Sequence, residues 1–373
     1  SSSKVTGFVN KSGTLKYYKN GKFASSYTGI VLGTINGKRN WYYVKKGKLC
    51  KSQVVQVSGK YYGFNEDGIM YKDCEFDVYE QGEYYGYYAS ESGVVYTNKW
   101  LSDGEWMYVG NDGRIVKNGI QKINGLNYLF RWSRLGTSTI LSWQGKNYAS
   151  DGDGKAYELK EKWNQIGRYW YYVKNGEILS NKAETIGSKT YFFDSNGHMA
   201  TNWEIGYTSG ENLGDGYTRY MVDENGYVQK NTAYENWNGT YLFDADGKGA
   251  EGFRTVNGRK CYFSEGYMYK DMVFQIGDTY YAAAADGTVT TLSSNGWTKV
   301  DGNWYYVDNG KLIKNSRFEI NGKTYVFNSD GRMASEEAVW SRNFYNADTV
   351  YGGAKDGTML KNTWKKLKIT SPS

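Results

Sequence analysis

Trp304-Tyr305-Tyr306-Val307-Asp308-Asn309-Gly310 is the stretch on which the fold turns. A run of strong β-formers is followed at once by Asn-Gly, which supplies the positive φ angles of a two-residue turn. The same phrase recurs. Trp41-Tyr42-Tyr43-Val44 leads to Gly47, and Trp170-Tyr171-Tyr172-Val173 leads to Gly176. Weaker copies are Trp106-Met107-Tyr108-Val109, leading to Gly113, and Tyr241-Leu242-Phe243-Asp244, leading to Gly247. The five starting positions lie 65, 64, 71 and 63 residues apart, so a unit of about 65 residues is copied five times.

Each unit divides into three. A second aromatic core follows the first at Tyr61-Tyr62, Tyr191-Phe192-Phe193, Cys261-Tyr262-Phe263 and Tyr325-Val326-Phe327. A third follows at Tyr87-Tyr88, Tyr148, Tyr220-Met221, Tyr280-Tyr281 and Tyr351. The elementary module is therefore about 20–25 residues, a β-hairpin with turns such as Asn175-Gly176, Asn196-Gly197, Asp246-Gly247, Asn309-Gly310 and Asp330-Gly331. An isolated hairpin is marginal in water, so each must bury its aromatic face on the next. The expected fold is all-β, a solenoid of tandem hairpins. Residues 1–40 read as a partial capping repeat. A first lobe then spans 41–205 and a second 206–373, divided at the long Gly/Ser/Asn stretch Gly206–Gly216 unless the array is continuous.

Composition agrees. Among 373 residues, 38 Tyr outnumber 13 Trp and 14 Phe together, which excludes a disordered chain. The single proline is Pro372. No apolar run of about 18 residues exists, so no membrane-spanning helix is expected. The start, Ser1-Ser2-Ser3-Lys4, has none of the features of a signal peptide, and the chain reads as a fragment of a larger secreted or surface protein. A net charge of +7 is mild for this length, and the C-terminal lysines 355, 361, 365, 366 and 368 read as a solvated tail rather than a nucleic-acid surface.

Catalytic and metal chemistry find little footing. His198 is the sole histidine, and positions equivalent to it hold Ile69 and Arg332, so it reads as an exposed turn residue. A glycosidase needs two acids flanking a bond; Asp194, Asp244, Asp246 and Asp330 instead recur as turn formers. Asp151-Gly152-Asp153-Gly154 lacks the glutamate that closes a calcium loop. No cofactor and no metal are expected. Cys50, Cys74 and Cys261 show no metal or redox spacing and read as free thiols, with a Cys50–Cys74 bridge the alternative.

Gly296-Trp297-Thr298-Lys299-Val300-Asp301-Gly302-Asn303-Trp304-Tyr305-Tyr306 resembles the repeat of bacterial cell-wall-binding modules, the superfamily that includes choline-binding modules. Thr190-Tyr191-Phe192-Phe193-Asp194-Ser195-Asn196-Gly197-His198-Met199-Ala200 resembles the glucan-binding repeats of glucansucrases. Repeats of large glucosylating toxins share the same hairpin. The resemblance covers about residues 15–364, and some gut-bacterial starch-adherence proteins are similar in kind. It implies a secreted or cell-surface, non-catalytic protein that binds polysaccharide, with an α-glucan such as starch or dextran preferred. The alternatives are a cell-wall polymer bearing choline or teichoic acid, and a host glycan.

A sugar offers one apolar face to an aromatic ring and a rim of hydroxyls to polar side chains. Trp100, Trp163, Trp237, Trp297 and Trp364 close all five units, which makes them structural. Trp132, Trp143, Trp203 and Trp340 do not repeat, so the architecture can do without them. With Tyr207, Tyr217, Phe344 and Tyr345 they are the candidate stacking platforms. Arg131, Arg134, Gln144, Arg342 and Asn343 are the candidate polar partners.

Overall fold

The structure, a computed structural model, describes residues 5–202, 205–208, 218–342, 348–363 and 365–370. The described residues contain strands and turns but no helix. Strand pairs adjacent in sequence form antiparallel hairpins throughout, as in Gly296–Val300 with Asn303–Asp308, where Trp297 faces Tyr306. The chain is a β-hairpin solenoid.

Two kinds of turn close the hairpins. Asn175-Gly176 and Asn309-Gly310 take positive φ at both residues, the two-residue turn that suits the right-handed twist of a hairpin. At Asn196-Gly197, Asp246-Gly247 and Asp330-Gly331 only the glycine has positive φ. These are longer loops, in which Gly331 N–H donates to the Asn328 carbonyl at 3.1 Å and Asn328 N–H to that of Arg332 at 2.9 Å. Asparagine has a further use in the connectors. Asn98, Asn181, Asn231 and Asn315 all sit at φ of 48–52°, a region that asparagine tolerates better than other side chains. Their N–H groups donate to Gly110, Asp194, Asp244 and Asn328 of the hairpin that follows, at 2.7–3.1 Å.

The chain divides into two compact units. One comprises Ser1–Ser180 with Asn196–His198, the other Asn181–Ser195 with Met199–Ser373. The division falls at 180/181, upstream of the 205/206 boundary expected from the glycine-rich stretch, and the strand Lys38–Lys45 runs through the 40/41 boundary. In the first unit that strand lies within a six-stranded sheet reaching back to Gly7–Lys11. In the second, the hairpins of Thr232–Phe243 and Gly252–Ser264 share a five-stranded sheet through Tyr267–Met268, and Lys368–Thr370 adds a parallel strand to Glu337–Arg342.

There is no single core. Each hairpin presents alternate residues to its neighbour, because strand side chains point to opposite faces with period two. Ala282 and Leu292 thus meet Val300, Tyr305 and Val307 of the following hairpin. Ala149 and Leu159 meet Tyr171 and Val173 in the same way. The three cysteines are free, Cys261 fully buried in such a cluster with Phe263 and Met268.

Burial of tyrosine in these small cores has a consequence at high pH. Tyr305 and Tyr87 are almost fully enclosed, and burial pushes both phenols up to about 12. The folded state then holds protons that the unfolded state, titrating near 10, has already lost. Stability from these groups is complete below pH 10 and falls as pH rises toward 12, by up to about 2–3 kcal/mol for each tyrosine. Thermal melts should therefore show a steep drop in Tm between pH 10 and 12, reduced in Tyr305→Phe; a flat profile would contradict the burial.

Candidate functional site

The same arrangement of rings recurs in both units. In the hairpin containing Gly296–Val300, Trp297 is paired across the strands with Tyr306, and Trp304 lies two residues before Tyr306, on the same face. The Trp297 and Trp304 indoles meet edge to face, at 6.0 Å and 87°. Tyr306 lies 5.0 Å from Trp297. The next hairpin adds Tyr325 at 5.0 Å and 73°, and Phe327 stacked at 5.8 Å. In the first unit Trp100 meets Trp106 at 6.4 Å and 84°, Tyr108 at 5.2 Å, Tyr128 at 5.1 Å and 72°, and Phe130 at 5.8 Å. Trp163 begins another such corner with Trp170, at 6.2 Å and 84°, and Tyr172.

Two indoles at right angles and a tyrosine make three walls of an open box. The Trp297 box encloses about 380 Å³ and is completed by Met333 and Asp356; the Trp100 box encloses about 430 Å³ and includes Leu135 and Asp153. The two aspartates occupy matching places, each just before the positive-φ glycine of a turn, Gly154 or Gly357. Thr358 donates to Asp356 from its hydroxyl at 2.6 Å and its N–H at 3.1 Å. Those bonds hold the Asp356 carboxyl below the usual carboxylate range, so it is charged at neutral pH. Aromatic faces around a void with a carboxylate at its mouth can hold a cation, or the apolar face of a sugar ring.

A second kind of cavity, about 590 Å³, lies in the first unit. Tyr84 and Tyr85 form its shelf, and Asn98, Asn111, Gln121 and Lys122 line its walls. The Arg114 guanidinium sits 3.7 Å over the Tyr85 ring and is fixed by Glu80 at 2.7 Å. Tyr79 and Tyr84, both well exposed, pack edge to face at 5.0 Å beside it.

The expected site residues are placed unevenly. Arg131, Trp132 and Arg134 share one turn. Trp132 is 80% exposed and, with Ser133, takes a positive φ, an uncommon setting for so bulky a residue. Arg131 donates to the Thr139 hydroxyl at 3.4 Å, while Arg134 is taken up by Asp103 at 2.7 Å and Glu75 at 3.0 Å. Trp143 is half-buried, its indole lying flat on Gly119. Gln144 is the first residue of the turn that follows, at φ 50°. Tyr207, Trp340 and Arg342 occupy strand positions whose side chains lie outside the described residues. Trp203, Tyr217, Asn343, Phe344 and Tyr345 lie outside them altogether, as does Trp364.

Two readings of single residues are corrected. Trp237, grouped with the structural tryptophans, is 94% exposed. It sits in a turn, where Asn236 Oδ1 accepts the N–H groups of Asn238 and Gly239 and leaves the indole outside, whereas Trp100, Trp163 and Trp297 are strand residues. His198 is 9% exposed rather than open to solvent, because its ring stacks on Tyr169 at 3.7 Å and meets Tyr171 edge-on. The calcium-like stretch is a turn in which Asp151 Oδ1 accepts the N–H groups of Asp153 and Lys155. In the sequence the pairs Trp297/Trp304, Trp100/Trp106 and Trp163/Trp170 carry the resemblance to a choline-type cage, the first cleanly and the others approximately, and these are the pairs whose indoles meet edge to face.

No family model matches the chain. Glucosyltransferase-I of Streptococcus downei is 28% identical over 251 residues, 65% of this chain, and glucosyltransferase-S of Streptococcus mutans is 25% identical over 76% of it. The chain spans only 14% and 19% of the length of those two relatives. Among solved structures, this repeat is similar to choline-binding protein F of Streptococcus pneumoniae, with 20% identity, a TM-score of 0.24, and coverage of 90% of this chain and 100% of that one. An alternansucrase in complex with isomaltononaose gives 18% identity, a TM-score of 0.27, and coverage of 90% of this chain and 24% of that one.

The seat of Trp143 can be checked directly. A Cβ on Gly119, at φ 113°, would lie 2.6 Å from the indole, whereas one on Gly125, at φ 85°, meets nothing within 4 Å. Gly119→Ala should cost about 2 kcal/mol more than Gly125→Ala in urea unfolding. Equal losses would mean that the indole is not held there.

Proposed function

We propose that this chain is a non-catalytic, extracellular binding module that attaches to a glycan polymer through several shallow aromatic sites. The observation that carries the reading is the repetition of the same Trp-Trp-Tyr box, open to solvent, in both units. Single sites of this kind are weak, and several on one chain gain through simultaneous engagement of one long polymer, by roughly 10²–10⁴ over a single site. Acidic side chains support a binding role over hydrolysis: each box has one carboxylate at its mouth rather than a facing pair.

The box geometry favours a polymer that carries a quaternary ammonium group, such as a choline-bearing cell-wall polymer. A trimethylammonium group has no hydrogen-bond donor to satisfy and is attracted to ring faces, by about 0.5–1 kcal/mol per ring in a site open to solvent. Asp356 adds attraction of the right sign, while Asp153 is shared with Lys155 at 3.6 Å. An α-glucan is the second reading, favoured by a different observation: the cavity over Tyr84 and Tyr85 combines a tyrosine shelf with the amides of Asn98, Asn111 and Gln121, which suit hydroxyls. The sequence relatives are named glucosyltransferases, and the outward Trp132 offers a further ring for a sugar face.

The two are separated by paired experiments. On a quaternary-amine resin the protein should be retained and released by free choline, and Trp106→Ala with Trp304→Ala should weaken binding at each box severalfold. In gels containing amylopectin or dextran, retardation that Tyr84→Ala or Gln121→Ala abolishes would support the glucan site. Passage through the resin and unretarded migration in both gels would exclude the polymer-binding reading.

A further inference from the structure

The box pattern recurs at one more place in the second unit, with both indoles replaced. In the hairpin of Gly252–Val256 and Arg259–Ser264, Phe253 faces Tyr262 as Trp297 faces Tyr306. The ring distance is 5.0 Å in both. The next hairpin supplies Tyr281 at 5.0 Å and 61°, as Tyr325 is supplied to Trp297 at 5.0 Å and 73°. The position two residues before Tyr262, which Trp304 fills in the other hairpin, belongs to Lys260. Its ammonium lies over the Phe253 ring at 4.2 Å and 5.6 Å from the centre of Tyr281. Among the described residues Lys260 forms no ion pair, so the rings are its recorded partners.

We propose that Lys260 is a resident occupant of this box. Its ammonium takes the place that a ligand's ammonium takes in the boxes of Trp100 and Trp297, and keeps the site shut. With both indoles absent, the rings that remain, Phe253 and Tyr281, hold a cation. This inference rests on the quaternary-ammonium reading and deepens it, because it names the chemistry selected by the rings and the residue that decides whether a box is open. Replacing the lysine by the indole found at the equivalent position removes the occupant and restores the missing wall.

Equilibrium dialysis of the whole chain with radiolabelled choline tests it. Lys260→Trp should bind one more choline per chain than the unaltered protein, and Trp304→Lys one fewer. An unchanged number in a Lys260→Trp variant that melts normally overturns the proposal while leaving the open boxes intact. Absence of choline binding by the unaltered protein overturns the parent reading instead. Should Lys260→Trp fail to fold, the unaltered protein still decides the matter by NMR. The ε-methylene protons of Lys260 should be shifted upfield by the Phe253 and Tyr281 ring currents, and values typical of a free lysine would overturn the proposal.

Discussion

Edge-to-face contact between a large ring of one hairpin and a tyrosine of the next is the interaction on which the structure depends. Trp297 touches Tyr306 within its own hairpin and Tyr325 and Phe327 in the following one. Phe253 makes the same pair of contacts with Tyr262 and Tyr281. Such a contact is worth about 0.5–1.5 kcal/mol beyond the area it buries, too little to hold one hairpin in water but enough when repeated along an array. Small clusters therefore replace a central core, and tyrosine does the work that leucine and isoleucine do elsewhere.

The binding boxes are a by-product of that stacking. The tyrosine of the next hairpin meets the first indole edge-on and leaves a cavity beside it. What stands two residues before the cross-strand tyrosine then decides the fate of the remaining space. With Trp106 or Trp304 there, the space becomes a three-walled box open to solvent. With Lys260, an ammonium fills it. In the N-terminal sheet Ile30 stands opposite Tyr43, where Trp297 stands opposite Tyr306, and it packs with Tyr43, Phe64 and Met70 in place of an indole. Two positions thus vary separately: Trp304 or Lys260 stands two residues before the cross-strand tyrosine, and Trp297, Phe253 or Ile30 stands opposite it. Differences among repeats alter the space left beside the rings while the hairpin pairing stays the same.

Much of the hairpin pattern could be read directly from residues. Asn309-Gly310 and Asn175-Gly176 mark two-residue turns because few other pairs accept positive φ twice in succession. The connector asparagines escaped notice, since Asn98 and Asn315 are followed by no glycine and carry no turn signature of their own. Trp237 was misjudged because a spacing of about 65 residues cannot tell a strand residue from one in the neighbouring turn. His198 was misjudged because its burial is supplied by Tyr169, almost thirty residues earlier. The box tryptophans are legible as a motif, and the same rings both pack the hairpins together and line the open boxes.

By itself the amino-acid order determined that the chain is a row of hairpins with aromatic faces, since turn chemistry and period-two alternation are local properties of the backbone. Which rings keep a free face was decided only in three dimensions. Closure of each box depends on a residue of the following hairpin, such as Tyr128 over Trp100, and on a carboxylate from the hairpin after that, such as Asp153. Contacts over such separations in sequence are set by how hairpins stack, which no local pattern encodes.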